Sequence, residues 1–249
     1  MKKKYLILFI MQFFVFLGCK DKIKEIKEIK DEEPKKYKVA ISFEYYPLIY
    51  KDEITGERKG IIYEIAQEIE RRGNYVTVVD EEPFSKILDK VAEGSYDVGI
   101  MAFGVSKERN KIIDFTEPFY SSEIIVLGNK NIDYKENTKD IYGVQVDSVF
   151  EKRVNKINKD FILVKDRHSR LVNALVNKEV DYIVTYLEIG MKLMEENPEL
   201  FIKKSLEKIE ISFIVNKTLS KSNLEKVNSI ILEMKSDGTI EKLKKKYNF

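Results

Sequence analysis

Arg109 is the residue of this chain best suited to hold an anion, because its planar guanidinium matches a carboxylate bidentately. It follows Ser106-Lys107-Glu108, where Ser106 reads as a helix N-cap with charged residues in the first turn. Ala102 and Gly104 stand just before it, small enough for backbone amides to approach a bound group. Upstream, the apolar run Val98 to Ala102 suits one buried parallel strand. Downstream, Asp114-Phe115-Thr116-Glu117-Pro118-Phe119-Tyr120 breaks the helical turn and continues as an aromatic-rich extended segment. An arginine just past the carboxyl end of a parallel strand sits where open α/β sheets bind ligands.

Other chemistry is sparse. His168 is the sole histidine, in the charged stretch Lys165-Asp166-Arg167-His168-Ser169-Arg170, and reads as a solvated loop or helix start. It has no second histidine for a zinc site or a base pair, and no G-x-S-x-G, H-E-x-x-H or P-loop occurs. The single cysteine, Cys19, excludes an internal disulfide and a thiolate metal site. Lys203-Lys204 and Lys244-Lys245-Lys246 read as solvated helix faces. The expectation is a protein that is not an enzyme and needs no cofactor or metal.

The elements that must carry Arg109 follow in βαβαβ order, which calls for a parallel sheet. Lys38 to Phe43 is the first strand; Ile61, Ile62, Ile65 and Ile69 mark a helix capped by Gly73; Tyr75 to Val79 is the second strand. Pro83-Phe84 opens a helix with Ile87, Leu88 and Val91 inward, stopped by Gly94 before the Val98 strand. A second set runs from Tyr142–Val146, through a helix from about Ser148, Phe161–Val164 and a helix over Leu171–Val176, to Tyr182–Tyr186. Two further β-rich runs, Glu123–Gly128 and Ile211–Val215, flank this set. Ser222 to Phe249 holds two helices split at Asp237-Gly238-Thr239.

At 249 residues, with 43% hydrophobic and 35% charged, the chain can bury a core but does not resemble a membrane-embedded body. Lys2, Lys3 and Lys4, the apolar run Tyr5 to Leu17, and Gly18 form a signal peptide over residues 1–18. Removing it takes away three lysines and no acids, turning the net charge from +2 to −1, so nucleic acid is not an expected partner. Residues 19–36 alternate charge around Ile23, Ile26 and Ile29, a tether that cannot bury a core.

Asp97, Gly104, Ser106 and Arg109, followed by Asp114-Phe115-Thr116-Glu117-Pro118-Phe119, resemble the signature of the family 3 extracellular solute-binding proteins, receptors of polar amino acid ABC transporters. Tyr45-Tyr46-Pro47-Leu48 is similar to that family's Y-x-P-F, and Gly60-Ile61-Ile62-Tyr63-Glu64 to its G-F-D-V-D. Phe16-Leu17-Gly18-Cys19 resembles a lipobox with phenylalanine where leucine is usual; the alternative is a secreted protein with a stray thiol.

The resemblance spans nearly all of Tyr37 to Phe249 and implies a two-lobed α/β, type II periplasmic binding protein fold. Each lobe would hold a parallel-rich sheet, with lobe 1 at 37–122 and 216–249 and lobe 2, with two hinge strands, at 123–215. Tyr45 and Phe84 would sandwich a ligand, Ala102 and Gly104 would offer backbone N–H groups, and Arg109 would clamp a carboxylate. Ser148 would supply a hydroxyl and helix amides, and Tyr186 occupies the position of an acid that holds an ammonium. Lipidation of Cys19 would anchor the protein to a membrane from outside the cytoplasm, in the periplasm or at the cell surface. The implied function is capture of a small carboxylate-bearing solute, an amino acid or related compound, by hinge closure, and delivery by a monomer to an ABC permease. A ligand-sensing lipoprotein that docks a receptor and a periplasmic dehydratase are the alternatives on the same fold.

The departures matter. Gly104 replaces a usual hydroxyl, Asp147-Ser148 a G-T helix start, Tyr186 the acid of D-A-x-x-x-D, and Ser42 a second acid. Glu44 or Glu188 could swing in, or both could be solvated. Selection for an α-amino group is therefore expected to be weaker than in relatives.

Overall fold

The computed structural model describes residues 34–131, 140–157, 163–165, 168–219 and 221–249. The signal peptide, Cys19 and most of the tether lie outside the described residues. Strand β1 (Lys35–Ile41) pairs in parallel with β5 (Tyr75–Glu81) on one side and β6 (Val98–Gly104) on the other. It begins three residues before the expected Lys38, because ladder pairing continues from Lys35 opposite Tyr75 where apolar patterning has already ended. Between β1 and β5 the chain forms a small antiparallel sheet, β2 (Glu44–Tyr45), β3 (Ile49–Lys51) and β4 (Arg58–Lys59).

Helix α1 (Ile61–Gly73) buries Ile61, Ile62, Ile65 and Ile69, the spacing read from sequence. Its first turn has no side-chain cap; the Ile62 N–H donates to the Leu48 carbonyl at 3.1 Å, and the Gly60 N–H to the Tyr247 hydroxyl at 3.0 Å. The left-handed cap at its other end is Asn74 (φ 51°), not Gly73. Gly73 is needed for another reason, since a Cβ there would run into the Tyr75 ring. Helix α2 (Phe84–Ala92) buries Phe84, Ile87 and Val91.

After a short 3-10 turn (Arg109–Lys111) and β7 (Asp114–Phe115), strand β8 (Tyr120–Asn129) carries the chain across. A second parallel set follows: β9 (Tyr142–Gln145), α3 (Val149–Ile157), β10 (Leu163–Lys165), α4 (His168–Val176), β11 (Tyr182–Tyr186) and α5 (Leu187–Glu196). Strand β12 (Leu200–Val215) returns, and α6 (Lys221–Ser236) and α7 (Thr239–Lys246) close the chain.

One sheet runs β10-β9-β11-β8-β12-β6-β1-β5, with β7 beside β12. Each end is a parallel wing, while β8 and β12 in the middle pair antiparallel with each other and with their neighbours. The length of β12 exceeds the expected Ile211–Val215. Its first half, Leu200–Glu210, is largely exposed and charged, so the ladder with β8 creates it rather than its own apolar pattern. Register shifts after Ile202, Ser205 and Ser212 bend it on its way between the wings.

Helices α6 and α7 pack on α1, in the first wing. Arg72 ties them there, reaching Glu68 at 2.6 Å, Glu233 at 2.9 Å and Asp237 at 2.7 Å. Among the described residues no helix is long and apolar enough to cross a membrane.

Candidate functional site

The two wings present the C-terminal ends of their parallel strands to each other, which is where loops converge in open α/β sheets. Strand β6 ends at Gly104, and the Arg109 N–H donates to the Ser106 hydroxyl at 3.2 Å, as the N-cap reading required. The segment from Asp114 to Phe119 then lies along β12. Thr116 exchanges hydrogen bonds with the Phe213 backbone, the Phe119 ring meets Phe213 at 4.5 Å, and the Glu117 N–H donates to Asn228 at 2.7 Å. This aromatic tail anchors the loop that aims Arg109.

The Arg109 side chain is buried. Its Nη1 donates to the Gly104 carbonyl at 3.1 Å and its Nη2 to the Asp147 carbonyl, in the second wing, at 2.6 Å. The guanidinium carbon lies 6.0 Å from the Phe84 ring centre and 5.6 Å from that of Phe103. Among the described residues no carboxylate pairs with it, although burial disfavours its charge and presses its pKa below the usual arginine range. A buried cation satisfied only by carbonyl dipoles is unbalanced, and an incoming anion would correct that.

The expected site residues meet around this group. Tyr45 is buried, donates its hydroxyl to Gln145 Oε1, and has Phe84 at 6.0 Å, His168 at 5.1 Å and Tyr186 at 6.1 Å between ring centres. The Tyr186 hydroxyl donates to the Ala102 carbonyl at 3.1 Å, and its ring meets Phe150 edge-on at 4.9 Å. Burial raises the pKa of both phenols above the ordinary tyrosine value, so both stay neutral. The Ser148 hydroxyl accepts the Phe150 N–H at 3.3 Å as the N-cap of α3, after a turn in which Asp147 adopts φ 59°.

Gly104 has a packing reason to lack a side chain: a Cβ would stand 2.5 Å from Ile209 Cδ1 and 3.1 Å from Val149 Cγ2. An open cleft beside Arg109 is lined by Leu88, Ser106, Asp147, Ser148 and Lys152.

Two readings from sequence are overturned. His168 is buried rather than solvated, because α4 turns it into the junction beside Tyr45, where its Nε2 hydrogen-bonds Thr185 Oγ1 at 2.9 Å. Burial holds its pKa down to about 4, so the ring is neutral. Glu188 is also buried, accepting the Tyr120 hydroxyl at 2.6 Å and the Ser122 hydroxyl.

Sequence reasoning missed Phe103, Gln145, Phe150, His168 and Thr185. One positional signal was available: His168 opens the helix after β10 as Phe84 opens the helix after β5. Gln145 ends β9 as Gly104 ends β6. Among the described residues no cluster of three His, Cys, Asp or Glu could hold a metal.

The profile described as bacterial extracellular solute-binding proteins, family 3, matches residues 37–249. A protein of Campylobacter jejuni subsp. jejuni named "Probable histidine-binding protein" is 28% identical over 216 residues, covering 84% of each chain. The arginine-binding extracellular protein ArtP of Bacillus subtilis is 23% identical over 224 residues, covering 86% of each. Among solved structures, an ancestral arginine-binding protein bound to arginine superposes with a TM-score of 0.77 at 26% identity, covering 86% of this chain and 99% of that one. With the match extending over both wings, the chain belongs to the family 3 bacterial extracellular solute-binding proteins.

Proposed function

We propose that this protein captures a small carboxylate-bearing solute, an amino acid or a related compound, between its two wings and delivers it to an ABC permease. The observation that carries this reading is Arg109, buried, fixed on two carbonyls and paired with no carboxylate among the described residues. Tyr45 and Phe84 flank the ligand, Ser148 and the first amides of α3 meet it from the second wing, and Ala102 and Gly104 allow close backbone approach.

Residues 37–122 with 216–249 act as one lobe and 123–215 as the other, with β8 and β12 as the hinge strands. The bends in β12 support this, since a strand with interrupted register flexes more readily than a continuous ladder. The relatives carry names of binding proteins, which supports binding over turnover. Outside the described residues, Cys19 carries the lipid that holds the monomer outside the cytoplasmic membrane.

Calorimetry with arginine, histidine, glutamine and their 2-oxo and 2-hydroxy analogues, on wild type and Arg109→Met, tests the reading. At least one solute should bind wild type, and the variant should lose it. A folded variant that binds as tightly as wild type would place the anchor elsewhere.

A further inference from the structure

We infer that the solute preferred by this site is a monoanion, a carboxylate with an uncharged remainder of the 2-hydroxy or 2-oxo acid class, rather than a zwitterionic amino acid. The inference rests on the reading of Arg109 as carboxylate anchor and adds the charge at the other end of the ligand.

The argument is a charge count at the junction. Arg109 contributes one buried cation there, while Arg153 nearby is already engaged by Glu207 at 2.5 Å. A bound carboxylate balances Arg109. An ammonium on the same ligand then needs an anion of its own, because a buried and unpaired charge is costly.

The candidate acids are all committed or turned away. Glu188 is held by Tyr120 and Ser122 beside β8. Glu44 is half-buried and has a partner of its own. Asp147 is exposed and offers only its backbone carbonyl, and Glu108 is exposed and pairs with Lys152 at 3.4 Å.

The strand-end carbonyls that would accept ammonium N–H groups are also engaged. Ala102 receives the Tyr186 hydroxyl and Gly104 receives Arg109. What surrounds the junction instead is neutral: the Tyr45 and Tyr186 phenols, the Gln145 amide, the Thr185 hydroxyl and the uncharged His168 imidazole.

Ser42, at the end of β1, adds a buried hydroxyl with no hydrogen-bond partner among the described residues. Hydroxyls, an amide and an imidazole can donate to or accept from a hydroxyl or keto group, and none of them neutralises an ammonium.

The test is titration calorimetry with matched compounds that share one side chain: phenyllactate and phenylpyruvate against phenylalanine, 2-hydroxy- and 2-oxo-4-methylpentanoate against leucine, and lactate and pyruvate against alanine. In the best-binding set, the hydroxy or oxo acid should bind at least about tenfold more tightly than its amino acid (about 1.4 kcal/mol). Tyr186→Asp, which returns a carboxylate to the junction, should shift that ratio by about tenfold or more towards the amino acid.

An amino acid that binds wild type as tightly as its analogues overturns the inference, as does a panel in which nothing binds. Arg109→Met separates the two levels. If it abolishes binding of such an amino acid, the anchor stands and only the charge inference falls; if binding is unchanged, both fall.

Discussion

Replacing Arg109 with methionine asks whether the guanidinium serves the fold or a solute. The substitution removes two charge-assisted hydrogen bonds, to the Gly104 carbonyl at 3.1 Å and the Asp147 carbonyl at 2.6 Å. Each is worth about 1.5–3 kcal/mol net. Against that, a buried ion carries a desolvation cost of several kcal/mol, which the substitution relieves. Methionine also fills much of the space beside Phe84 and Phe103, where sulfur–aromatic contact returns about 0.3–1.5 kcal/mol.

These opposing contributions nearly cancel, so the expected change in stability is within about 2 kcal/mol. At about 2–4 °C per kcal/mol for a chain of this size, thermal unfolding should move by less than about 8 °C. Binding should respond far more. Truncating one partner of a desolvated charge pair costs about 2–5 kcal/mol, or roughly one and a half to three and a half decades in Kd. Thermal unfolding and calorimetry on one preparation read both quantities. A loss of more than about 4 kcal/mol in stability with binding intact would make Arg109 a strut between the wings and refute the reasoning.

Gly60 adopts φ 112°, and a Cβ there would overlap the Leu48 carbonyl and Ile49 Cα, both backbone. Gly60→Ala should therefore lose at least about 2 kcal/mol in chemical denaturation, and an unchanged midpoint would contradict this. Gly104→Ser, which restores the hydroxyl usual in the family, should cost about 1–3 kcal/mol by crowding Ile209 and Val149; equal melting temperatures would show that these side chains yield freely. His168 titrates near 4 when folded and near 6.5 when unfolded, so the unfolded chain binds the extra proton in that window. Stability should fall as pH drops from about 6.5 towards 4, by up to about 1.36 kcal/mol per unit, and less steeply in His168→Gln; parallel curves would refute the assignment. Mass spectrometry of the mature protein from its native membrane should find a lipid on Cys19, and a free thiol or an intact leader would exclude the anchor.

Much of the frame was legible because it is encoded over short distances. The isoleucines of α1 at helical spacing, the β-branched run of β5, and the break at Asp237-Gly238-Thr239 each report on a few consecutive residues. Arg109 was legible for the same reason: its strand, cap and aromatic tail are contiguous. Strand β12 was not, because Leu200–Glu210 is exposed and charged and is a strand only through its ladder with β8. The capping of α1 was misassigned since Gly73 and Asn74 are both good candidates, and the Tyr75 ring packed against Gly73 decides between their roles.

By itself the sequence determined the alternation of strands and helices, the anion-seeking arginine, and the neutral residues at positions 42 and 186. Only the tertiary structure decided what those residues face. The hydrogen bonds that assemble the junction join residues 38, 84 and 100 positions apart, from Arg109 to Asp147, Tyr186 to Ala102 and Tyr45 to Gln145. Burial of His168 beside Tyr45 and capture of Glu188 by Tyr120 and Ser122 depend on how the wings and crossing strands pack. A charged stretch reads as solvated until another part of the chain covers it, and only the packed molecule shows which stretches are covered.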